Sequence, residues 1–388
     1  MKKKFFCIIT GSRAEYGLLY PLIKKIDKDK SLSLQLIVTG SHLSKDHGFT
    51  VKEINNDNIK ITTKVNLKIS GDKKANISNY ISIAIKKLSK KYEKLKPNLI
   101  IILGDRYEIF AAATAAMIAQ IPIAHIHGGE RTSGLIDEAI RHSITKMSHI
   151  HFAATKIYKK RILQLGENPK NVYHVGAPGV ENIKNIKYFS KKKLEKDLEI
   201  KFGIKNLLIT FHPVTLEKDF GLKQFKNLLS ALSKLNNDYK FFFTFSNADM
   251  GGRKINNEII KFVKNNMSSA KAFKSLGRYR YLSLLRYVDA VVGNSSSGLI
   301  EVPSFKIGTI NIGNRQGGRV YGKTVLNTSP TKKNILLTIK KLYTNNFKKK
   351  LSKSINPYDF GKTSNRIIKI LKKKDLNNLI NKDFFDKI

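Results

Sequence analysis

Short runs of β-branched and aromatic residues alternate along the chain with longer stretches of helical period, the pattern of β-α units stacked around a parallel sheet. The apolar runs at 5–10, 33–38, 98–103, 121–126, 150–154 and 172–175 read as strands of a first half. Helices are expected between them over 18–27, 77–95, 107–119, 135–147 and 156–165. After Gly176, Ala177, Pro178 and Gly179 the pattern pauses in a polar, lysine-rich stretch and then restarts. Strands are expected at 206–211, 240–245, 288–292 and 308–312, with helices near 222–235, 256–265, 280–287 and 298–304. The expected fold class is therefore α/β, two Rossmann-like doubly wound domains facing a cleft. The boundaries read as 1–178 and 179–362, with a helical tail over 363–388 packing back on the first domain. Open α/β sheets bind ligands outside the carboxyl ends of their strands, so function is sought in the loops that follow the strands.

The 388 residues are 41% hydrophobic and 26% charged, ordinary globular usage that excludes a disulfide-stapled miniprotein, a disordered chain and a fibrous repeat. The single cysteine, Cys7, excludes an intramolecular disulfide and agrees with a reducing compartment. The net charge of +43 would suggest a polyanion, but 60 of the 72 basic residues are lysine and only 12 are arginine. The lysines are spread over most stretches expected at the surface, as at 187–196 and 348–353, which reads as a compositional bias rather than a dedicated binding face. No nucleic-acid motif accompanies them, and a nucleic-acid partner is not expected. The basic start at Lys2, Lys3 and Lys4 is followed by an apolar run shorter than the roughly 7–15 residues of a secretory segment. The richest apolar window, 110–126, is broken by Thr114, Gln120, Pro122 and His125, short of the ~20 residues of a membrane span. A cytoplasmic protein with no membrane partner is expected.

Three loops of the first half carry ionisable groups. Gly11 and Ser12 make a tight turn after the first strand, and Arg13 beside them can meet a phosphate or carboxylate through two donors; the turn is not a dinucleotide fingerprint. Gly104, Asp105 and Arg106 end the third strand, where Asp105 reads either as a helix N-cap or as a carboxylate that holds or deprotonates a substrate. The densest stretch runs His125-Ile-His127-Gly-Gly-Glu130-Arg131-Thr132 and continues through Asp137, Glu138, Arg141 and His142. Two histidines at strand spacing invite a metal reading, but no further ligand completes a set, and no metal is expected. Asp137 and Arg141 fall one helical turn apart, so they read as a surface pair or as part of a site that includes Glu130.

In the second half, Phe211-His212-Pro213, Ser246-Asn247-Ala-Asp249 and Gly293-Asn-Ser295-Ser296-Ser-Gly298 each follow a strand. The last reads as an anion nest opening a helix, with Glu301 placed for ribose hydroxyls and Arg315 and Arg319 just after the next strand. Its alternative is a serine-rich N-cap. Half of the 12 arginines, at 13, 106, 131, 141, 315 and 319, fall in these loops or the helix just beyond. In a chain that otherwise uses lysine, they mark where a planar two-point donor matters.

The ordered set Gly11-Ser-Arg-Ala-Glu-Tyr16, Gly104-Asp-Arg106, His125-Ile-His-Gly-Gly-Glu130, Asp137-Glu-Ala-Ile-Arg-His142, Phe211-His-Pro213, Ser246-Asn-Ala-Asp249 and Gly293-Asn-Ser-Ser-Ser-Gly298 with Glu301 resembles the hydrolysing UDP-N-acetylglucosamine 2-epimerases of bacterial sialic acid synthesis. The resemblance spans about 5–320. It implies the glycosyltransferase-B fold with UDP held mainly by the C-terminal half, no cofactor, and a homodimer or homotetramer. The family eliminates UDP across C1 and C2 to a glycal and then adds water with C2 inverted, because the C2 hydrogen of an acetamido sugar is not acidified by a carbonyl. By carry-over, Arg13, Arg106, His212, Asn247, Ser295, Ser296, Glu301 and Arg315 are expected to bind UDP. Asp105, Glu130 and Asp137 are expected to work on the sugar, with His127 and His212 as further catalytic candidates. Animal relatives carry Glu where this chain has His127, so the catalytic carboxylate is either replaced by His127 or served by Glu130. The first reading is release of N-acetylmannosamine from UDP-N-acetylglucosamine. A sister group acting on UDP- or GDP-linked N,N'-diacetylbacillosamine, for legionaminic acid, shares the same motifs, and a glycosyltransferase of the same fold is the remote alternative.

Overall fold

In the computed structural model, which describes residues 3–67, 74–246 and 249–386, the apolar runs of the first half assemble into one parallel sheet. Its described strands are β1 (Lys4–Thr10), β2 (Leu32–Thr39), β3 (Thr63–Val65), β4 (Leu99–Leu103), β5 (Ile123–Ile126), β6 (Ile150–Ala153) and β7 (Val172–His174). They lie in the order β3-β2-β1-β4-β5-β6-β7. Phe6 and Ile8 of β1 enter one core with Leu99, Ile101 and Leu103 of β4, while Cys7 and Ile9 enter the other with Ile100 and Ile102. Successive side chains leave opposite faces of a strand, so a sheet covered on both sides needs apolar residues at consecutive positions. The helices Arg13–Lys28 and Thr363–Lys373 cover the first face; Lys74–Leu95 and Tyr107–Ile118 cover the second.

The second half builds a parallel sheet of β8 (Lys205–Thr210), β9 (Tyr239–Thr244), β10 (Ala270–Phe273), β11 (Ala290–Gly293), β12 (Gly308–Ile312) and β13 (Val325–Thr328). The order is β10-β9-β8-β11-β12-β13. The order of the first sheet turns back between β1 and β4, and that of the second between β8 and β11. β3, β10 and β13 were not expected from the pattern. They are edge strands of three or four residues with half their positions or more open to solvent, too short for periodicity to show. The first helix starts at Arg13 rather than near 18, because the Ser12 hydroxyl caps it by accepting from Glu15 N–H. The helix expected over 298–304 is a four-residue turn, Ser297–Ile300, followed by a 3-10 turn at Val302–Phe305 that contains Pro303.

Packing divides the chain into two units, Met1–Glu130 with Ile136–Lys184 and Tyr358–Ile388, and Arg131–Leu135 with Asn185–Pro357. Residues 179–184 lie in the helix Pro178–Asn185, where Glu181 accepts from Lys25 Nζ at 2.9 Å and from Ser364 N–H at 2.7 Å. The tail helix is shorter than the 363–388 expected: Thr363–Lys373, then a 3-10 turn at Asn377–Leu379. Among the described residues no helix is long and apolar enough to cross a membrane.

The C-terminal segment is fixed to the first unit by a buried carboxylate. Glu167, 2% exposed, lies 2.8 Å from His151 Nε2, 2.9 Å from Lys146 Nζ and 2.8 Å from Lys382 Nζ. Lys382 also donates to the carbonyls of Lys146 and Ser148, at 2.7 and 2.5 Å, which end the helix Asp137–Met147. His151 is held below its usual pKa by burial, so it donates as a neutral imidazole and the two lysines balance the charge. Burial alone would raise Glu167, but the bond from His151 and then Lys382 hold it down at about 2. A carboxyl depressed in the folded state stabilises above its unfolded pKa near 4.3, and the effect is lost as pH falls toward 2. Glu167→Gln is expected to cost about 3 kcal/mol at pH 7. Thermal melts at pH 7, 4 and 3 should show the gap from wild type shrinking with acid; a constant gap contradicts this account.

Candidate active site

The loops that end β1 and β4 flank the point where the first sheet reverses its strand order, the place where such sheets bind ligands. Gly11 is needed there because a Cβ would lie 2.2 Å from Glu108 Oε1. Arg13 opens the following helix, half-buried. Asp105 does not cap the helix Tyr107–Ile118: its cap position is Arg106, and no side chain accepts there. The Asp105 carboxylate instead accepts from Arg141 Nη2, a contact 36 residues apart in sequence. Arg141 is 1% exposed and also donates to Glu130 O at 3.1 Å and Glu138 Oε2 at 3.2 Å. The arginine read as a possible surface partner of Asp137 is thus a buried tie between the loops after β4 and β5. Asp137 is the first residue of the helix that carries Arg141, half-buried.

His125 and His127 do not share a strand face. β5 ends at Ile126, and His127 adopts φ +66°, a left-handed conformation that non-glycine residues rarely hold and that concentrates at functional sites. His125, fully buried, bonds Gly104 O through Nε2 at 2.8 Å and Thr145 Oγ1 through Nδ1 at 3.4 Å. Burial pushes its pKa down to about 3, so it is a neutral structural group. His127 Nδ1 lies 2.5 Å from Glu130 Oε1. The carboxylate can only accept, so Nδ1 carries the hydrogen and Nε2 is the basic nitrogen. That Nε2 is buried without a hydrogen-bond partner. Such an arrangement, a base oriented by a carboxylate, can take up or deliver one proton. Among the described residues no group of three or more His, Cys, Asp or Glu is placed to hold a metal ion.

The second unit gathers its predicted residues at its own reversal point. Gly293, at φ +142°, lets β11 run so close to β8 that a Cβ would lie 1.9 Å from Thr210 O. Asn294, fully buried, then clamps the loop after β8: His212 N–H donates to its Oδ1 at 2.7 Å, and its Nδ2 donates to His212 O at 2.8 Å. Arg315, 9% exposed, donates to Pro213 O at 3.1 Å and Asn294 O at 3.2 Å, and Gln316 donates to Asn294 O at 2.7 Å. Three loops are thereby tied around one asparagine, and Arg315 braces backbone as well as carrying charge. Ser295 and Ser296 stand half-exposed on this platform, with Glu301 at the end of the short turn. With only four helical residues behind them, they can hold an anion through local N–H groups and hydroxyls, with little help from a helix dipole. Asn247 lies outside the described residues. Arg131, also in this unit, lies against Gly318, where a Cβ would meet its Cδ at 2.5 Å.

Sequence reasoning missed Glu15 and Glu108 as site groups. Both are buried beside Arg106, whose Nε lies 2.9 Å from Glu108 Oε1 and 3.8 Å from Glu15 Oε1. Their signal was the charged residue inside an otherwise apolar helix start, as in Tyr107-Glu108-Ile109-Phe110.

Comparison with known proteins places this arrangement. Residues 24–372 match the family model described as UDP-N-acetylglucosamine 2-epimerase. The chain is 43% identical, over 100% of both lengths, to the GDP/UDP-N,N'-diacetylbacillosamine 2-epimerase (hydrolyzing) of Campylobacter jejuni. It is 38% identical to the polysialic acid biosynthesis protein P7 of Escherichia coli, covering 100% of this chain and 97% of that one. Its fold matches the crystal structure of UDP-GlcNAc 2-epimerase from Neisseria meningitidis bound to UDP-GlcNAc, with TM-score 0.82 and 21% identity over 96% of this chain and 100% of that one. The two parallel doubly wound sheets are those of the glycosyltransferase-B type. The chain belongs to the UDP-N-acetylglucosamine 2-epimerase family and is an enzyme, a hydrolysing nucleotide-sugar 2-epimerase.

Proposed function

We propose that the substrate is a nucleotide-linked N,N'-diacetylbacillosamine, UDP- or GDP-borne, released as the free C2-inverted sugar with the nucleoside diphosphate. The observation that carries the chemistry is the His127–Glu130 pair, a buried imidazole whose Nε2 has no hydrogen-bond partner. The sugar is supported by the full-length similarity to the Campylobacter jejuni relative, which reorders the expectation that put UDP-N-acetylglucosamine first. His127 Nε2 takes the C2 proton while the C1–O bond to the diphosphate breaks, giving a glycal and the nucleotide. Water then adds its hydroxyl at C1, and a proton returns to C2 from the opposite face. Asp105 and Asp137 serve that second half, one activating water and one returning the proton. Arg141 holds the Asp105 carboxylate in place. Glu130 orients the imidazole and balances its charge.

Ser295 and Ser296 take the diphosphate on their platform, Glu301 the ribose, and His212, Asn247 and Arg315 complete the nucleotide contacts. Arg13 and Arg106 add charge to the leaving diphosphate, the group on which negative charge grows in the transition state. The second reading is UDP-N-acetylglucosamine, which the description of the matched family supports. The C2 hydrogen poses the same chemical problem in both sugars, so the two readings share every residue above.

Incubation with UDP- and GDP-diacetylbacillosamine and with UDP-N-acetylglucosamine in deuterated water separates them by product mass. Free diacetamido sugar with one deuterium at C2 is expected. Release from UDP-N-acetylglucosamine alone selects the second reading, and release from none overturns both. His127→Asn and Glu130→Gln should each lower kcat about 10²–10⁴-fold; kcat within threefold of wild type for both removes the pair from the mechanism.

A further inference from the structure

Two buried carboxyl groups crowd one guanidinium at the reversal point of the first sheet, and the reaction as described uses neither. Glu15, 5% exposed, comes from the helix Arg13–Lys28, and Glu108, 1% exposed, from the helix Tyr107–Ile118. Glu108 makes the close ion pair with Arg106, while Glu15 Oε1 lies 3.8 Å from the same nitrogen and accepts no hydrogen bond. Glu15 Oε2 accepts from Gly11 N–H at 2.7 Å, which fixes the carboxyl under the loop after β1. Glu108 Oε1 fills the space a Gly11 side chain would need, so the same glycine packs against both carboxyls.

Of two neighbouring buried carboxyls, the charge on one opposes ionisation of the other. Burial first, and the Glu108 carboxylate second, push Glu15 up to about 8, against the pull of Arg106 and the Gly11 and Ser12 amides. Tyr80 and His42, which face the cluster, stay neutral. Tyr80, from the helix Lys74–Leu95, is held well above its usual pKa by burial. His42, beyond β2, is pushed down to about 3 by burial, with Arg13 as a second nearby cation.

We propose that Glu15 is a proton-holding positioning residue for anion binding at Arg106: protonated, it leaves the guanidinium balanced by the Glu108 carboxylate alone; ionised, it gives the cluster a net negative charge that opposes a phosphate. The proposal rests on the reading that Arg106 meets a diphosphate. Binding of the anion then draws a proton onto Glu15, so affinity falls as pH rises past the point where the free protein loses that proton.

The test is calorimetric titration of the full chain with UDP between pH 7.5 and 9.5, where the phosphates, with a last ionisation near about 6, carry constant charge. Wild type is expected to lose affinity about tenfold per pH unit above about 8 and, in buffers of different ionisation enthalpy at pH 9, to take up close to one proton per UDP. Glu15→Gln keeps an acceptor for Gly11 N–H and should show neither the slope nor the uptake, whereas a merely structural residue would shift affinity equally at every pH. A flat wild-type profile without proton uptake, or an unchanged slope in Glu15→Gln, overturns the proposal. Should the variant not fold, the wild-type proton count alone decides. Absence of UDP binding at any pH overturns the nucleotide reading, and this proposal with it.

Discussion

The chemistry of this protein depends on one constraint of parallel sheets: where the strand order reverses, the chains leaving two neighbouring strands turn to opposite faces, and their backbone ends part. The loops after β1 and β4, and those after β8 and β11, stand at such points. Gly11 and Gly293 are the residues that let those loops pack so closely, one against a carboxylate and the other against a strand carbonyl. The arrangement is thus a matter of geometry before it is one of chemistry, and the side chains proposed to act are those the geometry leaves at the strand tips.

Each tip is held by a buried polar residue from elsewhere in its own unit. Asn294 fixes His212 through both backbone groups, and Arg315 and Gln316 close on the same asparagine. Arg141 binds Asp105 while also reaching the Glu130 carbonyl, so a single guanidinium ties the carboxylate of one loop to the backbone of the next. Buried donors of this kind are costly to leave unpaired, which holds the loops in these positions. The strained φ of His127 is tolerated in that setting, with its imidazole bonded to Glu130.

Much of this was legible in the sequence. The consecutive apolar positions of β1, β4 and β5 announce strands buried on both faces, and the polar loops behind them carry the residues proposed to act. Edge strands β3, β10 and β13 were not legible, because three or four half-exposed residues leave no period to read. The order of strands was not legible either, since pairing is a long-range property. For the same reason the Arg141–Asp105 tie was hidden, and Asp105 read as a cap. The Ser295–Ser296 loop was expected to open a helix, but that helix is a four-residue turn followed by a 3-10 turn with Pro303, so an anion there would be held by local donors. The +43 charge, spread over lysines, turned out to say little about the site, while the arginines at 106, 141 and 315 are the ones that structure it.

The central claim is that the chemical step is removal of the C2 proton by the imidazole that Glu130 orients. It is tested most directly by the primary kinetic isotope effect with nucleotide sugar deuterated at C2. The account predicts an effect above unity on kcat that grows in Glu130→Gln, where proton transfer becomes fully rate-limiting. An effect of unity in both proteins would contradict it.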